Sequence, residues 1–359
     1  MNVLLMGHEQ GPEEVERHVR LLGGGLAEAG HRVAFAVKGD SWLARDCRES
    51  GFVCHQVPMG SGIDGRTYAR LIKIARRDKI EVLHGHTRLG SIYSGVVARL
   101  TGKISVATAH ALDVRPAVGL HHAILAVSHA VRDSLLNSGV PERKISVVYK
   151  GVPDVPSESP ERRELARERL GLRECDVAIA VSPCTTSRRE QCLFAGAAAA
   201  LKHRVANVRF FLVDPSESTN HGRSEVDNVA HGKRPGRVGF FEGRRIPPSL
   251  FGAMDIYTEL GQREDVPLGL LQAFSAGLPV VAARVGGIPE IVKHNATGFV
   301  SARGDHKMLV ALLGLLVKDR GLRLTLGEKA RETQRARFSE RTMTRETERV
   351  YRAALGTGS

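Results

Sequence analysis

The chain has 359 residues, of which 42% are hydrophobic and 25% charged, and this suits a globular protein with two domains of common size rather than one core. A formal charge of +13 asks for an anionic partner: nucleic acid, a lipid surface or a phosphorylated small molecule. An aromatic content of 5% with a single Trp, and the absence of zinc-finger or RRM signatures, argue against nucleic acid; arginines scattered along the whole chain carry part of the charge.

The opening MNVLLMGHEQ has no basic leader and too short an apolar run for a signal peptide, so it reads as a first strand. No stretch approaches the roughly 18 consecutive apolar residues of a membrane span. Five cysteines form no CxxC pair, and reduced cytoplasmic thiols are expected. NVLLMG, RVAFAV, EVLHGH, SVATAH, AILAVS and ISVVYK then read as strands that are apolar on both faces. Helical stretches such as EEVERHVRLLGGGLAEAG and SIYSGVVARLTG lie between them, which predicts a parallel sheet covered on both sides. The Pro- and Ser-rich KGVPDVPSESPERR breaks the rhythm and reads as a linker.

The alternation restarts with DVAIAVSP, RFFLVD, VGFFEG, DIYTEL, LPVVAA and TGFV as strands of a second sheet. After Asp305 the pattern is wholly helical, and FSERTMTRETERVYRAAL forms the last helix. Two doubly wound α/β domains of this kind bind ligands at the C-terminal ends of their strands, in a cleft where the two face each other. Apart from an alanine cluster at 195–200, no repeat or low-complexity tract is visible.

The stretch EDVPLGLLQAFSAGLPVVAARVGGIPEIVKHNATGFV resembles the donor-site signature of the retaining family 4 glycosyltransferases, which have the GT-B fold. GPEEVERHVRLLGGGLAEAGHRV, VATAH, AVSHAVRDSLLNSGVPERKISVVYKGVPD and the closing helices resemble the rest of that family in the expected order. The resemblance implies two Rossmann-like domains: 1–155 for the acceptor, 156–338 for the nucleotide sugar, and a helix over 339–359 that crosses back to the first. It also implies transfer of a sugar from a nucleotide-diphosphate donor with retention and without a metal. In such a front-face displacement the leaving diphosphate takes the acceptor proton, so the protein supplies hydrogen-bond donors aimed at developing phosphate charge rather than a nucleophile.

Residue by residue, the resemblance makes Glu264 the acid that holds the donor sugar and places Gln272 where the second acid of the Glu-x7-Glu pair would accept from the ribose hydroxyls. An amide offers one oxygen where a carboxylate offers two, so the substitution weakens this contact. Val266, Leu268 and Gly269 lead into a helix whose N-terminus is a natural diphosphate seat, with Pro267 fitting the first turn. Gly286 and Gly287 allow close backbone approach. Arg188 stands for the lysine of the family's phosphate clamp, while Pro183 and Arg189 depart from that clamp. His110 takes the catalytic histidine position. Glu13 and Glu14 replace the usual Gly-Gly; they face the acceptor together with His86, or mark a loop recruited for something else, or favour the start of their helix. His84, His86 and His110 lack a carboxylate at ligand spacing, so no metal site is expected of them.

Arg66, Arg70, Lys73, Arg76, Arg77 and Lys79 surround Leu71, Ile72, Ile74 and Ala75 in a basic amphipathic helix suited to an anionic bilayer. The leading reading is a cytoplasmic glycosyltransferase, peripheral on the inner face of the plasma membrane, that extends a lipid-linked or polysaccharide-precursor acceptor. It needs no cofactor beyond its donor substrate. The competing reading is a GT-B protein that has lost catalysis and serves as a binding subunit.

Overall fold

The computed structural model describes residues 1–7, 13–60, 64–112, 118–154, 159–181, 188–214, 238–242, 248–261 and 266–356. They divide into two compact units, Met1–Val152 with Phe338–Ser359, and Pro153–Arg337.

The first unit is a parallel sheet in the order β3-β2-β1-β4-β5-β6-β7. Its strands are β1 (Asn2–Gly7), β2 (Arg32–Lys38), β3 (Val53–Val57), β4 (Val82–Gly85), β5 (Ile104–Ala109), β6 (Ala123–Ala126) and β7 (Ile145–Val147). The helices α1 (Glu13–Glu28), α2 (Trp42–Glu49), α3 (Gly65–Arg77), α4 (Arg88–Thr101) and α5 (His129–Asn137) connect them. Central strands such as β1 and β4 bury nearly every residue, as two-sided cover requires. β3 does not appear among the strands expected from sequence: as an edge strand it buries only Val57 fully, and its Cys-His-Gln centre hides the apolar signal.

The helix Glu340–Ala354 belongs to this unit. It packs beside α1, and its Met343, Val350 and Tyr351 enter the core with Val19, Leu22 and Leu26. The chain is tied there at Val152, whose N–H donates to Phe338 O at 3.0 Å and whose carbonyl accepts from Glu340 N at 2.9 Å. The expected linker is therefore partly ordered structure. Its first residues bond to the returning segment, and a helix, Pro160–Arg169, begins inside it with Ser159 as cap and proline in the first turn.

The second unit holds a parallel sheet in the order β10-β9-β8-β11-β12-β13. Its strands are β8 (Val177–Val181), β9 (Val208–Asp214), β10 (Val238–Glu242), β11 (Ile256–Glu259), β12 (Val280–Ala283) and β13 (Gly298–Ser301). Arg167 and Asp255 lock its base: the guanidinium meets Asp255 Oδ2 at 3.1 Å and donates to Ala253 O at 3.0 Å. Among the described residues no helix is long and apolar enough to cross a membrane.

Candidate functional site

In the first unit the strand order reverses between β1 and β4, so the crevice at their C-terminal ends is the place where a doubly wound sheet takes a ligand. The sequence Leu83-His84-Gly85-His86-Thr87 builds one wall. Leu83 enters the core on one face of the sheet, and His84, by strand alternation, points to the other. Gly85 permits close approach of β4 to α4, because a Cβ there would stand 2.6 Å from the backbone of Gly90. Thr87 caps α4 by accepting from Gly90 N at 3.1 Å. Between these two, His86 is pinned by its N–H, which donates to Met6 O at the end of β1.

His110 follows β5 directly, and its Nε2 lies 3.4 Å from Nδ1 of His86. His18 reaches the same spot from α1: its ring centroid is 4.8 Å from that of His110 and 5.4 Å from that of His86. All three are buried. Burial holds His86 down at about 3, and it holds His18 and His110 far below the ordinary imidazole range. Their mutual proximity and Lys150 push the last two further the same way. At neutral pH each ring is therefore uncharged and offers one N–H and one lone pair.

Behind this cluster, His84 hydrogen bonds Tyr351 Oη through Nδ1 at 2.6 Å and Thr108 Oγ1 through Nε2 at 2.7 Å. Its ring lies against that of His86 with centroids 4.0 Å apart. Lys150, fully buried, donates from Nζ to Glu14 Oε1 at 3.1 Å. Glu14, in the first turn of α1, thereby offsets a buried cation. The side chain of Glu13, the first residue of α1, lies outside the described residues.

In the second unit the helix Leu268–Ser275 is buried nearly all round, with Val266 and Leu268 in the core. Its one open stripe is Gly269, Gln272 and Ala276, at spacings of three and four. Pro267 occupies the capping position, one residue before the place expected for it, and makes no side-chain cap. The other end closes on Gly277 at φ 74°, where Gly277 N meets Phe274 O and Leu278 N meets Ala273 O, both at 2.9 Å. Gly286 adopts φ 45° and Gly287 opens the short helix Ile288–Ile291, so this turn does need its first glycine. Glu264 and Pro183, and the side chains of Arg188 and Arg189, lie outside the described residues.

Two family models match the chain: Glycosyltransferase Family 4 over residues 15–155 and Glycosyl transferases group 1 over residues 186–333. The chain is a family 4 glycosyltransferase. N-acetyl-alpha-D-glucosaminyl L-malate synthase of Bacillus anthracis is 23% identical to it, over 92% of this chain and 91% of that protein. The UDP-Gal:alpha-D-GlcNAc-diphosphoundecaprenol alpha-1,3-galactosyltransferase of Escherichia coli is also 23% identical, over 73% of this chain and 72% of its own. Among solved structures, HepE of Anabaena in complex with UDP superposes with a TM-score of 0.85 at 17% identity, covering 98% of this chain and 100% of its own. At that identity the likeness is one of fold, and the fold is the two-domain GT-B arrangement of parallel sheets.

For this glycosyltransferase, the described residues expected from sequence fall into two groups: Glu14, His86 and His110 in the first unit, and Val266, Leu268, Gly269, Gln272, Gly286 and Gly287 in the second. Three participants were not expected: His18, Lys150 and Tyr351. A signal for His18 does exist. Val15, His18, Val19 and Leu22 follow the 3.6 period of the apolar stripe of α1, which puts an imidazole where a core side chain belongs.

Proposed function

We propose that the protein transfers a sugar from a nucleotide-diphosphate donor to a lipid-linked or polysaccharide-precursor acceptor, with retention, by front-face displacement. The observation that carries this reading is His110: a buried, neutral imidazole just past a central strand, on the ligand-binding edge of its sheet. A neutral ring offers a hydrogen bond to the departing diphosphate or the sugar without delivering a full proton, and front-face chemistry asks for that. The open stripe of Gly269 and Gln272 on the helix Leu268–Ser275 supports a nucleotide seat, with Gln272 accepting from the ribose. Glu264 would hold the donor sugar and Arg188 a phosphate.

A UDP-sugar is the favoured donor, because HepE is described with UDP and with UDP-glucose. A lipid-linked acceptor is favoured by the name of the Escherichia coli relative. α3 supports attachment to an anionic bilayer, with one revision. Its Leu71, Ile74 and Ala75 are spent in the core, while Arg66, Arg70, Lys73, Arg76 and Arg77 are exposed. What remains is a charged face that holds a surface electrostatically and is released by salt, with no apolar face left to insert.

The test is thermal stabilisation of the full chain across UDP-, GDP-, ADP- and dTDP-sugars. A donor at one hundred times its Kd adds about 2.7 kcal/mol to stability. One nucleotide series should shift the melt, and Glu264→Ala should then abolish transfer with the fold intact. No shift with any donor at millimolar concentration would transfer the assignment to a non-catalytic binding subunit.

A further inference from the structure

Among the described residues the first unit buries five histidines, and they fall into two kinds. His84 and His121 are each satisfied at both ring nitrogens: His84 by Tyr351 and Thr108, His121 by Ser91 at 2.7 Å and Ser105 at 2.6 Å. A buried imidazole in a structural role has this pattern. His18, His86 and His110 do not. Among the described residues His18 Nδ1, His86 Nε2 and His110 Nδ1 have no hydrogen-bond partner, although each ring is at least nineteen-twentieths buried. Three imidazoles with unmet nitrogens, gathered from three different elements, mark a place built for something else.

We propose that His18, His86 and His110 form a binding site for a divalent late first-row metal ion of the zinc class. Each ring brings one nitrogen, and the three nitrogens lie within 4.8 Å of one another. A tetrahedral ion with metal–nitrogen bonds of about 2.0–2.1 Å sets its ligands about 3.3 Å apart. The pair near that spacing is His86 Nδ1 and His110 Nε2, 3.4 Å apart and hydrogen bonded to each other, not the unpartnered His86 Nε2 and His110 Nδ1, so an ion would replace that bond, with His18 adding a nitrogen from within 4.8 Å. Three imidazoles with no oxygen donor among them select zinc, copper, nickel or iron over magnesium or calcium. Three protein ligands leave a fourth position open, as in sites that exchange a water for another ligand. Burial also keeps the rings neutral, which is the state that ligates. Lys150, whose charge acts on His18 and His110, is ion-paired with Glu14 at 3.1 Å.

The consequence follows from His110. An ion held there takes a nitrogen of the residue proposed to serve transfer, so occupancy and turnover compete. The site itself stands on its geometry, without the transfer reading.

Full-length protein, freed of metal with a chelator and dialysed, is titrated with Zn2+ by calorimetry and, separately, with Co2+ by visible absorption. The result expected is one equivalent of Zn2+ bound with sub-micromolar Kd, and a tetrahedral Co2+ spectrum that Zn2+ abolishes. His18→Gln should weaken Zn2+ by about 100-fold or more, whereas His31→Gln, on the far end of α1's connection, leaves it unchanged. Should His18→Gln fail to fold, the Co2+ spectrum of the unaltered protein decides alone, because a ligand field without tetrahedral intensity overturns the site. Binding weaker than about a hundred micromolar, or equal binding by His18→Gln and the unaltered chain, also overturns it. Donor-induced stabilisation is measured on the metal-free protein, so a failure of the transferase reading is seen separately.

Discussion

Tyr351→Phe isolates what the returning helix contributes to the first unit. The hydroxyl lies 2.6 Å from His84 Nδ1, and both side chains are fully buried. Burial drives the phenol far above its ordinary range, so it stays protonated and the bond is one between neutral groups. Removing the oxygen leaves the phenyl ring packed against Leu22, Leu26 and Val350, and the aromatic burial is retained. What is lost is one hydrogen bond, and what remains is an imidazole nitrogen with no water to turn to, which costs about 1–3 kcal/mol. The assay is urea unfolding followed by Trp42 fluorescence. Trp42 is the sole tryptophan and lies on α2, so its signal reports this unit alone. In a His84→Leu background the same change should cost little, with a coupling of about 1–2 kcal/mol. A loss below about 0.5 kcal/mol, or an equal loss in both backgrounds, would refute the claim that the hydroxyl acts through His84.

Glu340 begins the closing helix beside Gly24 and Gly25 of α1, and burial, reinforced by Glu28 and only partly offset by Arg20, pushes its carboxyl up to about 7. A folded value above the unfolded one means that the protonated acid is favoured in the fold. Stability is therefore highest below about pH 4.5 as far as this group is concerned, and is lost as pH rises through 7. The shift corresponds to at most ~3 kcal/mol, reduced to about 1–2 by solvent that still reaches the half-buried group. Glu340→Gln should stabilise by that amount at pH 8 and by almost nothing at pH 4.5; a pH-independent difference in melts at the two values would contradict it. Gln272→Glu restores a two-oxygen acceptor and should tighten nucleotide binding about 5-fold by calorimetry, since charge-assisted bonds exceed neutral ones by about 1 kcal/mol. Equal or weaker affinity would remove Gln272 from the ribose.

Legibility followed burial. β1, β4, β5 and β12 are legible because each is apolar and buried on both faces. β3 was not readable, because pairing on one edge with β2 gives it a strand's hydrogen bonds without a strand's apolar run. The basic amphipathic character of α3 is plain in its sequence, yet its apolar face points into the protein, and no periodicity says whether a stripe meets a core or a bilayer.

By itself the sequence determined two alternating α/β halves, the family, and His86 and His110 as strand-end residues, because these depend on local periodicity and on motifs within a few residues. Only the tertiary structure decided that His18 completes a cluster with them and that His84 is held by Tyr351, 267 residues away. The order in which strands pair and the helix that returns at Phe338 set those meetings, and the chain carries no local signal for which distant imidazole will share a burial site.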